Sequence, residues 1–420
     1  MKKLEFVGLD QEYYYEKLSN GLEIFLVPYK NKNNYAINYV TKYGSYVLNY
    51  KLEGKDKIAP PGIAHFLEHK MFESEDGLDP FTFASKSGTY CNAMTSFTST
   101  RYVFEGNKCF KENLEYMLNF VNEPYFTDSN VEKEKGIIIE EVKQYNDEIE
   151  CILDLETRKS IYHNHPIIND IGGTVETVAK ITKEELYDCY NTFYQPSNMF
   201  VVITGNFDYN EAFEVIKNNK RLKERSTKKD FEIVYLDEPD KIKEKEVKLQ
   251  VNLVKPKLSY NIKLLYDVED KFMYSMYITM FLSLTFGNSS KFWERMRNEG
   301  KVTSFGYTKM TTNKHMNITI LAETDKADEL VKDIENELKN INIDEADVER
   351  LKKVWIASEV AMIDNISVTL DNIVYDVIDY GKLIPNKSEL IRKINKKDLD
   401  QIIKNIDFNN RSIVLLEPKQ

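Results

Sequence analysis

The feature that most constrains this fold is a repeat. From Ile181 the chain reads ITKEELYDCYNTFYQPSNMFVVITGNFD, and from Ile394 it reads INKKDLDQIIKNIDFNNRSIVLLEP. Each stretch is a polar cap, an amphipathic helix, a short polar break and a β-branched strand. They stand 213 residues apart. A second pair, VEKEKGIIIEEV at Val131 and VERLKKVWIASEV at Val348, stands 217 apart. Two echoes at nearly one offset point to a duplicated domain of about 200 residues. Residues 217–246, KNNKRLKERSTKKDFEIVYLDEPDKIKEKE, are charge-dense and poor in apolar side chains, as a connection would be. The expected division is a domain over 1–222, a charged linker over 223–246 and a second domain over 247–420.

Each half mixes two periods. GLEIFLVPYK, YAINYVTKYGSYVLNY, TRYVFEG and NMFVVITG alternate or run β-rich and read as strands. Residues 109–124, 128–150, 182–194 and 209–219 carry helical spacing. Strands come in adjacent pairs with helices grouped after them. That order predicts an α+β class, with a mainly antiparallel sheet covered by helices.

Composition excludes several functions. The net charge is −11, which argues against coating nucleic acid or an anionic membrane. No run of 18 apolar residues spans a bilayer, and MKKLEFVGLDQEYYYEKL lacks the apolar core of a secretory signal. Cys91, Cys109, Cys151 and Cys189 form no CxxC pair, so they read as structural thiols in a reducing cytoplasm. GxGxxG and GxxxxGK[ST] are absent, which removes the main sequence argument for a dinucleotide or P-loop site. The 12% aromatic content is spread along the chain, as core packing would have it.

The informative segment is PPGIAHFLEHKMFE, residues 60–73. Pro61 and Gly62 open a helix. His65 and His69 are four apart and share one face, so two imidazoles can chelate one ion. Glu68 flanks that face and can reach a water on the ion without being a ligand. Chance matches to HxxEH number roughly 0.006 in a chain so poor in histidine. A catalytic zinc needs a third ligand and an open position. VEKEKGIIIEEVKQYNDE, residues 131–148, offers Glu134 and Glu141, seven apart on one helical face, with Ile137 and Ile138 packing beneath. Glu140 is turned about 100° from Glu141. Glu141 is the expected ligand, and Glu134 the carboxylate that orients a histidine.

HFLEH, followed 72 residues later by the second Glu of an E-x6-E pair, resembles the pitrilysin/insulinase metallopeptidases, which include the mitochondrial processing peptidases. GTYCNAMTSFTSTRYVFEG (88–106), the HP of YHNHP and YQPSNMFVVITGNFD add to the likeness. Within the family, the short bacterial two-domain members look most similar. The resemblance implies a cytoplasmic zinc endopeptidase with one Zn2+ per chain. His65, His69 and Glu141 would be the ligands, Glu68 the general base and Glu134 the catalytic-site partner of Glu141. Asn92 and Ala93 would lie on the edge strand that takes an extended peptide. It also implies two tandem αβ-roll domains, and pairing into a clam-like chamber, as a homodimer or with a related zinc-free subunit.

The second half lacks these residues. At the repeat offset, His65, Glu68 and His69 fall near Leu282, Thr285 and Phe286, and Glu141 falls on Ser358. Active family members often supply an Arg and a Tyr from this half to the substrate carbonyl. Arg297 fits the first; Thr303 stands where the Tyr belongs, and Tyr307 comes somewhat late. The alternative reading is a non-catalytic subunit that binds peptides or scaffolds a partner. His163, His165 and His315 read as loop or packing residues, and Cys91 as a small strand residue.

Overall fold

The computed structural model describes residues 1–4, 11–225 and 228–419. Residues 226 and 227, inside the expected linker, and 5–10, inside the opening segment, lie outside the described residues. The chain forms two compact units, and neither is a continuous stretch. One comprises residues 1–144, 169–236 and 360–385; the other comprises 145–168, 237–359 and 386–420.

The first unit is built on a seven-stranded sheet. Its order is Lys2–Leu4, Tyr13–Lys17, Glu23–Pro28, Met199–Gly205, Tyr35–Thr41, Thr100–Gly106 and Tyr90–Thr95. All neighbours are antiparallel except Glu23–Pro28 with Met199–Gly205. The second unit repeats the last five positions of this order: Glu246–Val251, Arg411–Pro418, Lys257–Leu265, His315–Glu323 and Ser304–Thr311. Its one parallel pair, Glu246–Val251 with Arg411–Pro418, falls at the same place. The α+β class and the duplication read from the echoes are both present.

The period-2 pattern sends alternate residues of each strand to opposite faces. Ile24, Leu26, Ile37, Tyr39, Val201 and Ile203 enter the main core of the first unit. Phe25, Val27, Ala36, Val40, Phe200 and Val202 enter a second core on the other face. That second face is covered by the helix Ile366–Tyr380, through Leu370, Ile373, Val374 and Val377. Thr204 Oγ1 donates to the Ile366 carbonyl at 2.9 Å, and Arg101 pairs with Asp371 at 2.7 Å. Each buried aliphatic side chain contributes about 1.5–3 kcal/mol.

The second unit mirrors this. The helix Ile149–Ile161 places Leu153 against Val414 and Leu416, and Thr157 Oγ1 donates to Ser259 Oγ at 2.8 Å. The two covering helices begin 217 residues apart, at one repeat offset, so each half of the sequence lends the same helix to the other unit. A linear division at 222 and 247 does not describe this exchange. The charged segment also departs from a plain linker. Phe231–Ile233 pairs with Asn49–Leu52, which pairs with Lys55–Ile58, and the Phe231 ring stands 5.3 Å from that of Phe193.

YHNHP has a packing role in the second unit. The Glu238 carboxylate accepts from the backbone N–H groups of His163 (3.0 Å), Asn164 (2.7 Å) and His165 (2.9 Å). It also pairs with the fully buried Lys263 ammonium at 2.6 Å. His315 Nε2 bonds Asp240 at 2.9 Å. Cys91 and Cys189 are buried, whereas Cys109 is exposed and Cys151 half-buried. Burial, aided by Asp79, pushes the Cys91 thiol up to about 12, which fits a packing residue. Among the described residues, no helix is long and apolar enough to cross a membrane.

Candidate metal centre

Two helices of the first unit carry the site. Ile63–Lys70 begins at Gly62, whose φ of 94° favours glycine. A Cβ there would stand 2.6 Å from the Gly172 carbonyl oxygen, so the chain crosses closely where the helix starts. Ile63, Ala64, Phe66 and Leu67 anchor one side in the core. His65, Glu68 and His69 occupy the other, as the helical period requires.

The helix Asp128–Asp147 buries Val131, Glu134, Ile138 and Val142, spaced three or four apart. Glu134 therefore sits within the buried stripe. Ile138 packs beneath the site as expected; Ile137 does not and is 49% exposed, being one step around the helix. Glu140 faces solvent and pairs with Lys143 at 2.6 Å. Sequence reading missed the tie between the two helices. Lys70, wholly buried, pairs with Glu73 at 2.6 Å and donates to the Asn130 carbonyl at 3.3 Å. A lysine directly after a histidine gives no such signal in sequence.

His65, His69 and Glu141 each present a donor atom, all within 4.8 Å of one another, and they form the one such group among the described residues. Glu141 Oε2 lies 3.4 Å from His69 Nε2, and its Oε1 lies 3.8 Å from His65 Nε2. Zinc bonds of about 2.0–2.2 Å set neighbouring donors of a tetrahedral site about 3.3 Å apart. Two imidazoles and a carboxylate drawn this close are a donor set that fits a zinc ion. The other nitrogen of His69, Nδ1, stands 2.9 Å from Glu134 Oε1, as expected of a carboxylate that fixes a ligating imidazole. Glu68 Oε2 accepts from the Thr95 hydroxyl at 2.6 Å.

The electrostatics separate the groups. Burial, with the neighbouring His69, holds His65 down to about 3, so its imidazole is neutral and ready to ligate. Burial also pulls His69 down, but the Glu134 hydrogen bond and the Glu68, Glu134 and Glu141 charges outweigh it and raise it. Burial lifts Glu68, with Glu141 adding and Thr95 and His69 opposing. Glu134 feels the same burial, yet His69, Lys70 and Lys133 hold it below the usual range.

The other expected site residues lie outside these two helices. Asn92 and Ala93 are on Tyr90–Thr95, the terminal strand of the large sheet. The Asn92 side chain donates to Tyr90 Oη at 2.7 Å and accepts from Ala93 N–H at 3.0 Å. In the second unit, the Arg297 guanidinium stacks over Trp293 at 5.4 Å. Tyr307 Oη meets Ser283 Oγ at 2.7 Å, on the strand Ser304–Thr311, which takes the place in its sheet that Tyr90–Thr95 takes in the other. Leu282 and Phe286 are core residues, so the repeat positions of the histidines offer no metal ligand.

Residues 55–175 match the insulinase family (peptidase family M16), and residues 180–354 match the peptidase M16 inactive domain. A Bacillus subtilis protein named as the uncharacterized zinc protease YmfH is 34% identical over 364 residues, covering 84% of this chain and 85% of that one. The zinc protease PqqE of Helicobacter pylori is 25% identical over 228 residues, 53% of this chain and 50% of that one. The crystal structure of an M16-like peptidase from Alicyclobacillus acidocaldarius superposes with a TM-score of 0.94 at 29% identity, covering 99% and 100% of the two chains. The crystal structure of pitrilysin shares the fold, with a TM-score of 0.78 at 18% identity, covering 100% of this chain and 46% of that one. With both domain types matched in order along the duplicated chain, this protein is a member of the M16 pitrilysin/insulinase family.

Proposed function

We propose that the chain is a zinc-dependent endopeptidase acting on peptides or short unfolded segments. The observation that carries this is the convergence of the His65, His69 and Glu141 donors within 4.8 Å, with Glu68 on the same helix as the histidines. The names of the relatives as zinc proteases support the metal and the reaction class. When bound, zinc supplies Lewis-acid polarisation of a carbonyl and a water of lowered pKa. Glu68 takes the proton of the attacking water at its carboxylate and hands it to the departing amine. Glu134 holds the His69 ring in the tautomer that presents Nε2. The edge strand Tyr90–Thr95, with Asn92 and Ala93, takes the substrate as an added strand, through main-chain hydrogen bonds that ignore sequence. Arg297 and Tyr307 of a second copy, or their counterparts in a zinc-free relative that completes a dimer, stabilise the developing oxyanion.

Metal content and cleavage of a quenched peptide library, in wild type and Glu68→Gln, test the reading. One zinc per chain with cleavage by wild type alone supports it. Zinc without cleavage, even with a co-purified partner, favours a peptide-binding subunit. No zinc after refolding with metal overturns the site.

A further inference from the structure

We propose that Thr95 is a positioning residue for Glu68, its hydroxyl fixing the carboxylate that removes the water proton. The inference rests on Glu68 being the general base. Three observations carry it.

The first is proton bookkeeping. Thr95 Oγ1 lies 2.6 Å from Glu68 Oε2 and 3.3 Å from Thr100 Oγ1. The Thr100 hydroxyl donates to the Tyr43 carbonyl at 3.0 Å, and a carbonyl can only accept. Thr100 therefore has no proton for Thr95. The single Thr95 proton goes to the nearer acceptor, the Glu68 carboxylate oxygen, in a short hydrogen bond. Glu68 Oε2 is thereby tied to Thr95, whose backbone N–H also favours the carboxylate.

The second is the rigidity of the support. Thr95 and Thr100 are the last pair of the hairpin formed by Tyr90–Thr95 and Thr100–Gly106. The turn between them is closed by Ser96 N–H to the Ser99 carbonyl at 2.8 Å and Ser99 N–H to Ser96 Oγ at 3.0 Å. Ser45 N–H bonds the Ser96 carbonyl at 3.0 Å, and Tyr46 N–H bonds that of Phe97 at 3.2 Å. A Cβ on Gly44 would stand 2.5 Å from the backbone of Phe97 and Thr98, so the tip is clasped at the closest approach two backbones allow. A hydroxyl mounted on such a turn holds its direction.

The third is the placement of the carboxylate itself. Glu68 projects from the helix Ile63–Lys70 while its partner comes from the sheet. The bond therefore fixes the base against an element that carries none of the three metal ligands. Loss of the hydroxyl should disturb the base while sparing the metal.

The test uses the full zinc-loaded chain and two substitutions. Thr95→Val keeps the shape and removes the donor; Thr95→Ser keeps the donor. Thr95→Val should lower kcat about 10- to 100-fold, the range for outer groups that orient a site, with KM within about 2-fold. Thr95→Ser should stay within about 3-fold of wild type, and chelator competition should give both variants wild-type zinc affinity. In a Glu68→Gln background, Thr95→Val should change the residual rate less than about 2-fold, because the group it positions is already gone. A readout without turnover runs in parallel on the zinc-free chain. Followed by circular dichroism, Thr95→Val should lower the urea midpoint with Glu68 present and leave it unmoved in Glu68→Ala. Thr95→Ala serves the same series if the valine does not fold. Wild-type kcat in Thr95→Val, a serine variant as impaired as the valine, or an equal loss in the Glu68→Gln background would each overturn the proposal. A wild type that binds zinc and cleaves nothing counts against the peptidase reading; the urea pair then decides whether Thr95 holds Glu68.

Discussion

Glu238→Gln should strongly destabilise the second unit while sparing the first. The carboxylate uses its two oxygens differently: Oε2 accepts from Asn164 and His165 N–H, while Oε1 faces Lys263 Nζ at 2.6 Å and His163 N–H at 3.0 Å. A glutamine can keep an oxygen at the first position only by turning its NH2 toward the ammonium and a third N–H donor. Lys263, with no side-chain exposure, then keeps the Pro239 carbonyl at 2.6 Å, the Ile161 carbonyl at 3.4 Å and the Tyr162 ring at 4.8 Å, but no bonded counter-charge, only the field of Asp240. The partners already respond unequally. Burial raises Glu238, but Lys263 and the backbone donors outweigh it and hold it below the usual range. Burial pulls Lys263 down against its partner. Breaking such a pair from one side costs about 3–5 kcal/mol, a large part of a domain's total of about 5–15 kcal/mol. Lys263→Met, which leaves the carboxylate its three N–H donors, should cost about 1–3 kcal/mol. The double variant should cost clearly less than the two added together. The chain supplies its own reporter. Both tryptophans, Trp293 and Trp355, lie in the second unit, so urea unfolding followed by tryptophan fluorescence reads that unit. Zinc affinity, which reads the first unit, should stay put. A tryptophan transition displaced by less than about 1 kcal/mol, or strict additivity in the cycle, would refute the reasoning.

Other outcomes follow from the same contacts. Glu134→Gln keeps an acceptor for His69 but removes its charge, and Glu134→Ala removes both; chelator competition should show zinc affinity falling about 10-fold and toward about 100-fold respectively, with Glu140→Gln unchanged. Burial, with His315 and Lys263 adding and Glu238 opposing, holds His165 down to about 4. The native imidazole stays neutral while the unfolded chain takes up a proton. Its stability contribution is therefore complete above pH 6.5 and lost as pH falls toward 4, by roughly 3 kcal/mol; urea curves at pH 7 and 4.5 should converge less steeply in His165→Gln. Ile373→Ala should cost about 2–5 kcal/mol, seen by circular dichroism and zinc affinity rather than by tryptophan, although the residue lies in the C-terminal half of the sequence. Gly62→Ala, at φ 94° and 2.6 Å from a carbonyl, should lower zinc affinity by tilting the start of the histidine helix.

What the sequence disclosed follows the range of its physics. His65, Glu68 and His69 are legible because their relations are set within one turn of helix. Glu134 and Glu141 are legible as one face, and their assignment to the site leaned on family resemblance. Thr95 was not, because its bond to Glu68 joins a helix to a hairpin and no spacing encodes it. Glu238 lies in a run of charges whose composition reads as a connection, yet it is 4% exposed. The covering helices were legible as helices and not as exchanged. The stripe of Leu370, Ile373, Val374 and Val377 says that a face must be buried, and nothing in it says against which sheet.

The exchange has a consequence for cutting the gene. A fragment ending within the charged segment carries His65, His69 and Glu141 but leaves Phe25, Val27, Val40, Phe200 and Val202 facing water, a greasy sheet face prone to association. Its complement lacks the cover for Val414 and Leu416. Neither piece is self-sufficient, and each carries the panel that the other is missing. The two should behave as complementing fragments, insoluble apart and regaining zinc binding when co-expressed. The second copy carries no counterpart of His65 and His69, yet the first cannot do without the helix it lends.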